Sequence, residues 1–379
     1  MSAAYWRRAM NTGLAAAARP LPLPKASAPA AAVRAPDPYA DSDAPRWLKF
    51  LWTHLSARHV LVLGLVLLFP FVATPFFTFQ IAGQALALGL IALSLTFLGG
   101  YGGMISLAQL TVAGIAGYVL SILGSSGASG QAASLGWPWW VAIPFALAIA
   151  TVCATLIGWL SVRTEGIYTI MITLAVGVAF YYLALQNYSV FNGFQGFQKV
   201  YPPTVFDVNW RDPVPFYFLA LACSLSGYLL VKWLVRTPFG MAMQGIRDNP
   251  RRMAALGYHV VAHRVAAYAV AGFIASVGGI LLIWYNGLIT PNSVNTGWLI
   301  NILVIAVLGG MRHPIGAFLG AIVFVLLQTF AIDVIDRERF NLVIGVVFLT
   351  IVLFSPDGLL GLWSKLRTRF ASPATTRRP

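Results

Sequence analysis

His259 and His263 are spaced i, i+4, so one helical face could present both imidazoles as the first half of a metal site. No Glu follows His259 as in a zinc hydrolase and no third ligand lies nearby, which sets metal binding against a plain solvated loop. The two cysteines, Cys153 and Cys223, both fall inside apolar runs. They read as small buried hydrophobes, with neither a disulfide scaffold nor a metal knuckle to build. Nucleotide chemistry is also missing. A phosphate-cradling loop ends in Gly-Lys, whereas Lys25, Lys49, Lys199, Lys232 and Lys365 follow Pro24, Leu48, Gln198, Val231 and Ser364. The acids Asp37, Asp41, Asp43, Glu165, Asp207, Asp212, Asp248, Asp333, Asp336, Glu338 and Asp357 all lie outside the apolar runs or at their edges. Ion-driven pumps usually keep carboxylates inside the membrane, because a desolvated acid can couple an ion to a solute. The expectation is therefore no catalytic group, no metal and no cofactor.

The segments that carry these residues explain the pattern. Of 379 residues, 59% are hydrophobic and 9% charged, against about 25% charged in a soluble globule. Such a chain is an all-α polytopic membrane protein. Its net charge of +14 sits in the first 58 residues, one central loop and residues 365–379, as in cytoplasmic loops; no folded basic groove for nucleic acid is visible. The first 58 residues, interrupted by Pro20, Pro22, Pro24, Pro29, Pro36, Pro38 and Pro45, read as a disordered basic cytoplasmic tail. Arg7-Arg8 raises a cleaved export signal as the alternative, but the run to Pro20 is short and weakly apolar.

A transmembrane domain is expected over 59–356, with a C-terminal cytoplasmic tail over 357–379. Apolar segments near the about 20 residues that cross a bilayer suggest about ten helices: 60–78, 80–98, 105–124, 139–162, 166–185, 214–235, 264–285, 297–311, 315–332 and 341–356. With both termini in the cytoplasm, all 25 Lys and Arg except Lys199, Arg211, Arg337 and Arg339 fall inside, as the positive-inside rule requires.

Two Gly-rich segments resemble each other, Leu98-Gly99-Gly100-Tyr101-Gly102-Gly103 and Leu308-Gly309-Gly310-Met311-Arg312, and each leads into a further helix. In the second, Gly316 and Gly320 form a GxxxG pair that permits close approach of helix backbones. Paired Gly-interrupted segments suggest an internal repeat; ordinary tight packing is the alternative. Uncharged polar side chains are candidates for a solute path: Ser106 and Gln109 beside the glycines, then Tyr168 and Thr173. Such residues also bond neighbouring helices, a reading that weighs more heavily still on Asn301 and Gln328.

The substantial cytoplasmic loop runs over 236–263. From Pro238 to Gly257 it reads as two short helices meeting at a corner, with Asn249 as cap, Pro250 in the first turn and Gly257 as a left-handed terminator. Met241, Ile246, Met253 and Leu256 supply apolar anchors beside Arg247, Arg251 and Arg252, a knob suited to a groove on another protein. A basic loop lying on anionic lipid is the simpler alternative.

Pro238, Gly240, Ala242, Ile246, Arg247, Asp248, Asn249 and Leu256-Gly257 closely resemble the loop signature of permease subunits of branched-chain amino-acid ABC importers. Three more stretches are similar to that family in the same order: Gly99 to Gly103 with Ser106-Leu107-Ala108-Gln109 and Ala113-Gly114; Glu165-Gly166-Ile167-Tyr168 with Thr173-Leu174-Ala175; and Val307-Leu308-Gly309-Gly310 through Gly316 and Leu319-Gly320-Ala321. The longer N-terminal region and the larger outer loop resemble the M-type of the two paired permeases. Family members often carry Thr-Gly-Gly-x-Asp-Gly in that outer loop, where this chain has Phe191-Asn192-Gly193-Phe194-Gln195-Gly196.

The resemblance implies a subunit of the bacterial inner membrane that is not itself an enzyme. Its partners would be a second, H-type permease, two ATP-binding subunits docking on the cytoplasmic corners of the pair, here the 238–257 loop, and an extracytoplasmic substrate-binding protein. The solute would be a branched-chain amino acid moved by alternating access; a secondary transporter or passive channel for small amides or urea is the competing reading.

Overall fold

The computed structural model describes residues 57–124, 134–164, 166–204 and 208–334, with the short pieces 345–346, 349–350, 353 and 358–361. Residues 1–56 of the tail expected over 1–58, Glu165, most of the tenth expected span and most of the C-terminal tail lie outside the described residues. The chain divides into two units at Leu65 and Val66. Only the start of α1 (Ala57–Val72) is described in the first unit; the second carries the rest of α1 and every other described element.

Pro75 interrupts the apolar run after α1 and a new helix starts within two residues, since proline disfavours helix in the residue before it and suits a first turn. Helix α2 (Phe77–Tyr101) is wound as a π-helix at both ends, over Phe77–Gly83 and Phe97–Tyr101. There follow α3 (Gln109–Leu123), α4 (Trp139–Ser161), α5 (Ile167–Gln186), α6 (Pro213–Arg236), α7 (Pro238–Asp248), α8 (Pro250–Ala255), α9 (Val260–Asn286), α10 (Thr296–Gly309) and α11 (Pro314–Val334). Two-residue strands β1 (Phe197–Gln198) and β2 (Leu288–Ile289) pair antiparallel, Phe197 opposite Ile289.

Helix α9 is the central post, packed most extensively on α4, α2 and α3, while α2 also carries α11 and α10. In the apolar windows, α2 is 83% buried and α5 only 22%. The interior is thus α2 and α9, and α4, α5 and α6 turn large apolar side chains such as Val152, Met171 and Leu229 outward, as only a hydrocarbon surround or a partner helix permits. Helix α4 carries exposed Trp139 and Trp140 at its start and Trp159 near its end, with the Arg163 guanidinium 4.2 Å from the Trp159 ring. Aromatic rings at both interfaces are what membrane-spanning helices show.

Five helices among the described residues (α2, α4, α5, α6 and α9) are long and apolar enough to cross a bilayer, and six spans result if α10 and α11 count as one. Those last two, expected as separate spans, are the arms of one break bent by 117°. The span expected over 105–124 is helical only from Gln109. At about 1.5 Å per residue its 15 residues reach roughly 22 Å, short of the about 30 Å of hydrocarbon. Residues 103–108 make up the difference as non-helical chain, which at membrane depth must be buried and hydrogen-bonded. Met104, Ser106, Leu107 and Ala108 are buried, and Met104 N donates to Leu98 O at 3.1 Å, Leu107 N to Thr173 Oγ1 at 3.1 Å and Ala108 N to Ser106 Oγ at 3.4 Å. The chain is an all-α polytopic membrane protein, with one small ribbon among the described residues.

Candidate functional site

Helix α6 ends at Thr237, whose hydroxyl accepts from Gly240 N at 3.4 Å, and Pro238 fills the first turn of α7. Asn249 then leaves the helix and its Oδ1 accepts from Arg252 N at 3.0 Å, starting α8 at Pro250. Gly257 closes the corner at φ +90°, a conformation open to glycine and costly for side chains. Its N–H donates to Ala254 O at 3.0 Å, and Tyr258 N to Met253 O at 3.1 Å. Replacing Gly257 by Pro removes the donor and forbids the φ. The expected result is a frayed α8 with protease cleavage within 250–258 accelerated about tenfold, while the spanning helices stay intact; mass spectrometry of partial digests in membranes checks this.

The knob has two faces. Gly240, Ala242, Met243 and Ile246 are buried inward, while Met241 and Leu256 are exposed at 59% and 66% beside exposed Arg251 and Arg252. Exposed large apolar groups in a basic rim suit a protein groove better than water. On the inner side, Arg247 Nη1 donates to Gly100 O at 2.6 Å, and Nε and Nη2 donate to Asp248 Oδ1 at 3.0 and 2.9 Å. Gly103, at φ +67°, lies under the Arg247 side chain, and Gly102 under Met243. The knob is therefore clamped onto the Gly-rich end of α2.

That end also touches the second Gly-rich segment. A Cβ on Gly99 would stand 3.1 Å from the Met311 sulfur, and one on Gly100 would collide with the Met311 carbonyl. Gly309, Gly316 and Gly320 bring α10 and α11 into backbone contact, with Gly310 at φ +101° in the bend. One continuous run of contacts thus links the knob, the α2 end and the α10–α11 bend.

Next to it, Thr173 is tied to the segment that carries Ser106 and Gln109. Ser106 is buried. Gln109 is buried with its amide oxygen 3.1 Å from Ser94 Oγ, and Thr173 holds the Leu107 amide. Tyr168 is not brought in: it is 65% exposed on the outer side of α5. Asn301 is half-buried in α10, and the Gln328 amide oxygen is buried without a partner among the described residues. His263 Nδ1 lies 2.9 Å from His259 O and its ring stacks on Phe239; no metal-binding group of three His, Cys, Asp or Glu occurs among the described residues.

The outer-loop segment expected to vary from the family is folded tightly. Asn192, at φ +58°, donates from Nδ2 to Gly196 O at 2.6 Å, and Gly196 abuts the Ile289 carbonyl. Phe191 and Phe197 then pack edge-on against Tyr118. Gln195 is exposed.

Residues 77–352 match the permease component of the branched-chain amino acid transport system. The chain belongs to that family. The high-affinity branched-chain amino acid transport system permease protein LivM of Salmonella typhimurium is 23% identical over 248 residues, 59% of this chain and 58% of that protein. LivM of Escherichia coli is 24% identical with the same coverage. The nucleoside ABC transporter permease protein NupC of Lactococcus lactis is 30% identical over 127 residues, 32% of this chain and 37% of its own. This chain thus spans 58% of the length of the LivM relatives. No solved structure matches it. As a member of that family it is a multi-pass membrane protein.

The sequence did not single out Gln84, Asn286, Asn292 and Ser293, which line a cavity between α2, α3, α9 and α10. Gln84 and Gln80 are two amides in a long apolar run, and Asn286 to Asn295 is amide-rich; both were readable signals.

Proposed function

We propose that the chain is the M-type permease of an ATP-driven importer, forming half of a path for a branched-chain amino acid in a bacterial inner membrane. The likeness to LivM relatives supports the solute; the nucleoside relative matches a shorter stretch. The observation that carries the reading is the Arg247–Gly100 clamp, because it joins an exposed knob to the segment that leads into the buried Ser106 and Gln109. The partners are an H-type permease, two ATPases, one of them seated on Met241, Arg251 and Leu256, and an extracytoplasmic binding protein. The transmembrane domain is 59–356, with a repeat marked by the two Gly-rich segments and tails 1–58 and 357–379 in the cytoplasm. In this arrangement, closure of the ATPases pushes the knob, and the glycines of 99–103 and 309–320 let the helices tilt between inward-open and outward-open states.

The chain is a conduit and lever without catalytic groups. In the assembled transporter, a photoreactive residue at Met241 is expected to cross-link to an ATPase subunit, and one at Phe194 on the outer loop is not. Cross-linking to lipid alone at Met241 would favour the basic loop on a membrane surface and sink the proposal.

A further inference from the structure

A cavity of about 260 Å³ lies at the end of α9 away from the knob, walled by Gln84, Asn286, Thr290, Asn292, Ser293 and Trp298. Leu110 and Leu282 close its inner side. A narrow extension of about 20 Å³ continues from it between α3 and α9, where a Cβ on Gly279 would strike the Ala113 backbone. The mouth is open, since Asn286 and Asn292 are exposed, whereas Leu110 is buried. Next to Leu110 in sequence comes Gln109, the first of the interior polar residues.

Local structure aims the polar groups. The π-helical stretch Phe77–Gly83 ends directly before Gln84; wider turns of this kind recur at functional sites because they re-aim the side chains beyond them. The Tyr285 hydroxyl donates to Gln84 Oε1 at 3.4 Å, and Asn295 Nδ2 donates to Asn292 Oδ1 at 2.7 Å, so both amides have fixed orientations. The lining contains no charged side chain. A solute with net charge would lose hydration there without a counter-charge, a cost of several kcal/mol. A zwitterion or neutral amide is different, because amides and hydroxyls both donate and accept and can serve its two poles. Drug-sized ligands occupy roughly 300–1,000 Å³, so the space suits a smaller molecule.

We propose that this cavity is the solute-holding chamber of the permease, and that its amide and hydroxyl lining selects solutes of zero net charge, with Leu110 and Leu282 as the closed inner gate. The inference rests on the importer reading and adds where the solute waits and what is turned away.

The test uses the assembled transporter in sealed vesicles, with Cys153 and Cys223 replaced by Ala. A membrane-impermeant thiol reagent added on the outer side should label Asn292→Cys and Asn286→Cys at least tenfold faster than Gln109→Cys. In otherwise native protein, Gln84→Glu should lower leucine uptake at least tenfold, and Gln84→Asn should restore it to within about threefold of the native rate. Equal labelling at the three positions, or native leucine uptake by Gln84→Glu in a transporter that is ATP-driven, overturns the chamber and leaves the importer reading standing. Uptake by the native transporter that ignores ATP sinks the importer reading instead, and the labelling rates then decide the chamber alone.

Discussion

Replacing Arg247 by Glu is expected to leave the protein inserted and to cut ATP-driven uptake by roughly ten- to a hundredfold. The native guanidinium makes one bond to the Gly100 carbonyl and two to Asp248. A hydrogen bond from a charged group contributes about 1.5–3 kcal/mol, which is about ten- to a hundredfold in the equilibrium that couples knob to helix. Glu cannot donate to Gly100 and would set a second negative charge beside Asp248. Arg247→Lys should fall between, because an ammonium reaches one acceptor well but cannot span both as the planar fork does. Uptake and ATP hydrolysis measured in the same vesicles separate the outcomes: hydrolysis persists and uptake falls. Native uptake in Arg247→Glu would remove the clamp from the mechanism.

Gly316→Leu is the second large effect, and it acts on folding. A Cβ at this position would stand 2.8 Å from the Gly309 carbonyl oxygen, with the Gly310 carbonyl closer still. Both obstacles are backbone, so no rotamer change relieves them. Overpacking a well-packed site costs about 1–3 kcal/mol, and more where backbone must move; at about 2–4 °C per kcal/mol, Tm should drop by roughly 10 °C. Gly64→Leu makes the same change where nothing lies within 4 Å of the added Cβ, and it should leave Tm unchanged. Thermal stability in detergent, read by size-exclusion chromatography after heating, checks both. Equal behaviour of the two variants would contradict the close α10–α11 contact.

Much of this was legible beforehand because apolar run length and proline position are local signals. Nine of the expected apolar segments coincide with helices α1 to α6 and α9 to α11, and the Asn249 cap, Pro250 turn and Gly257 stop lie where their chemistry puts them. What escaped was set by tertiary contact. Run length alone cannot tell two spans from the 117° bend of α10 and α11, since the turn is made by glycine contacts that sequence leaves unpaired. Tyr168 and Thr173, five residues apart on α5, looked equivalent as polar groups, yet one is exposed and the other buried. Arg247 and Gly100 lie 147 positions apart, so nothing short of the fold could join them. The cavity around Gln84 and Asn292 draws on four helices and the connection between two of them, so its amides were legible in the sequence and their meeting was not.

The most direct test is to reconstitute this chain with its second permease and binding protein in sealed vesicles and to follow leucine accumulation with and without the ATPase subunits. Accumulation above the external concentration only when the ATPases and ATP are both present is the predicted result. Leucine concentrated in vesicles that lack the ATPases would contradict it.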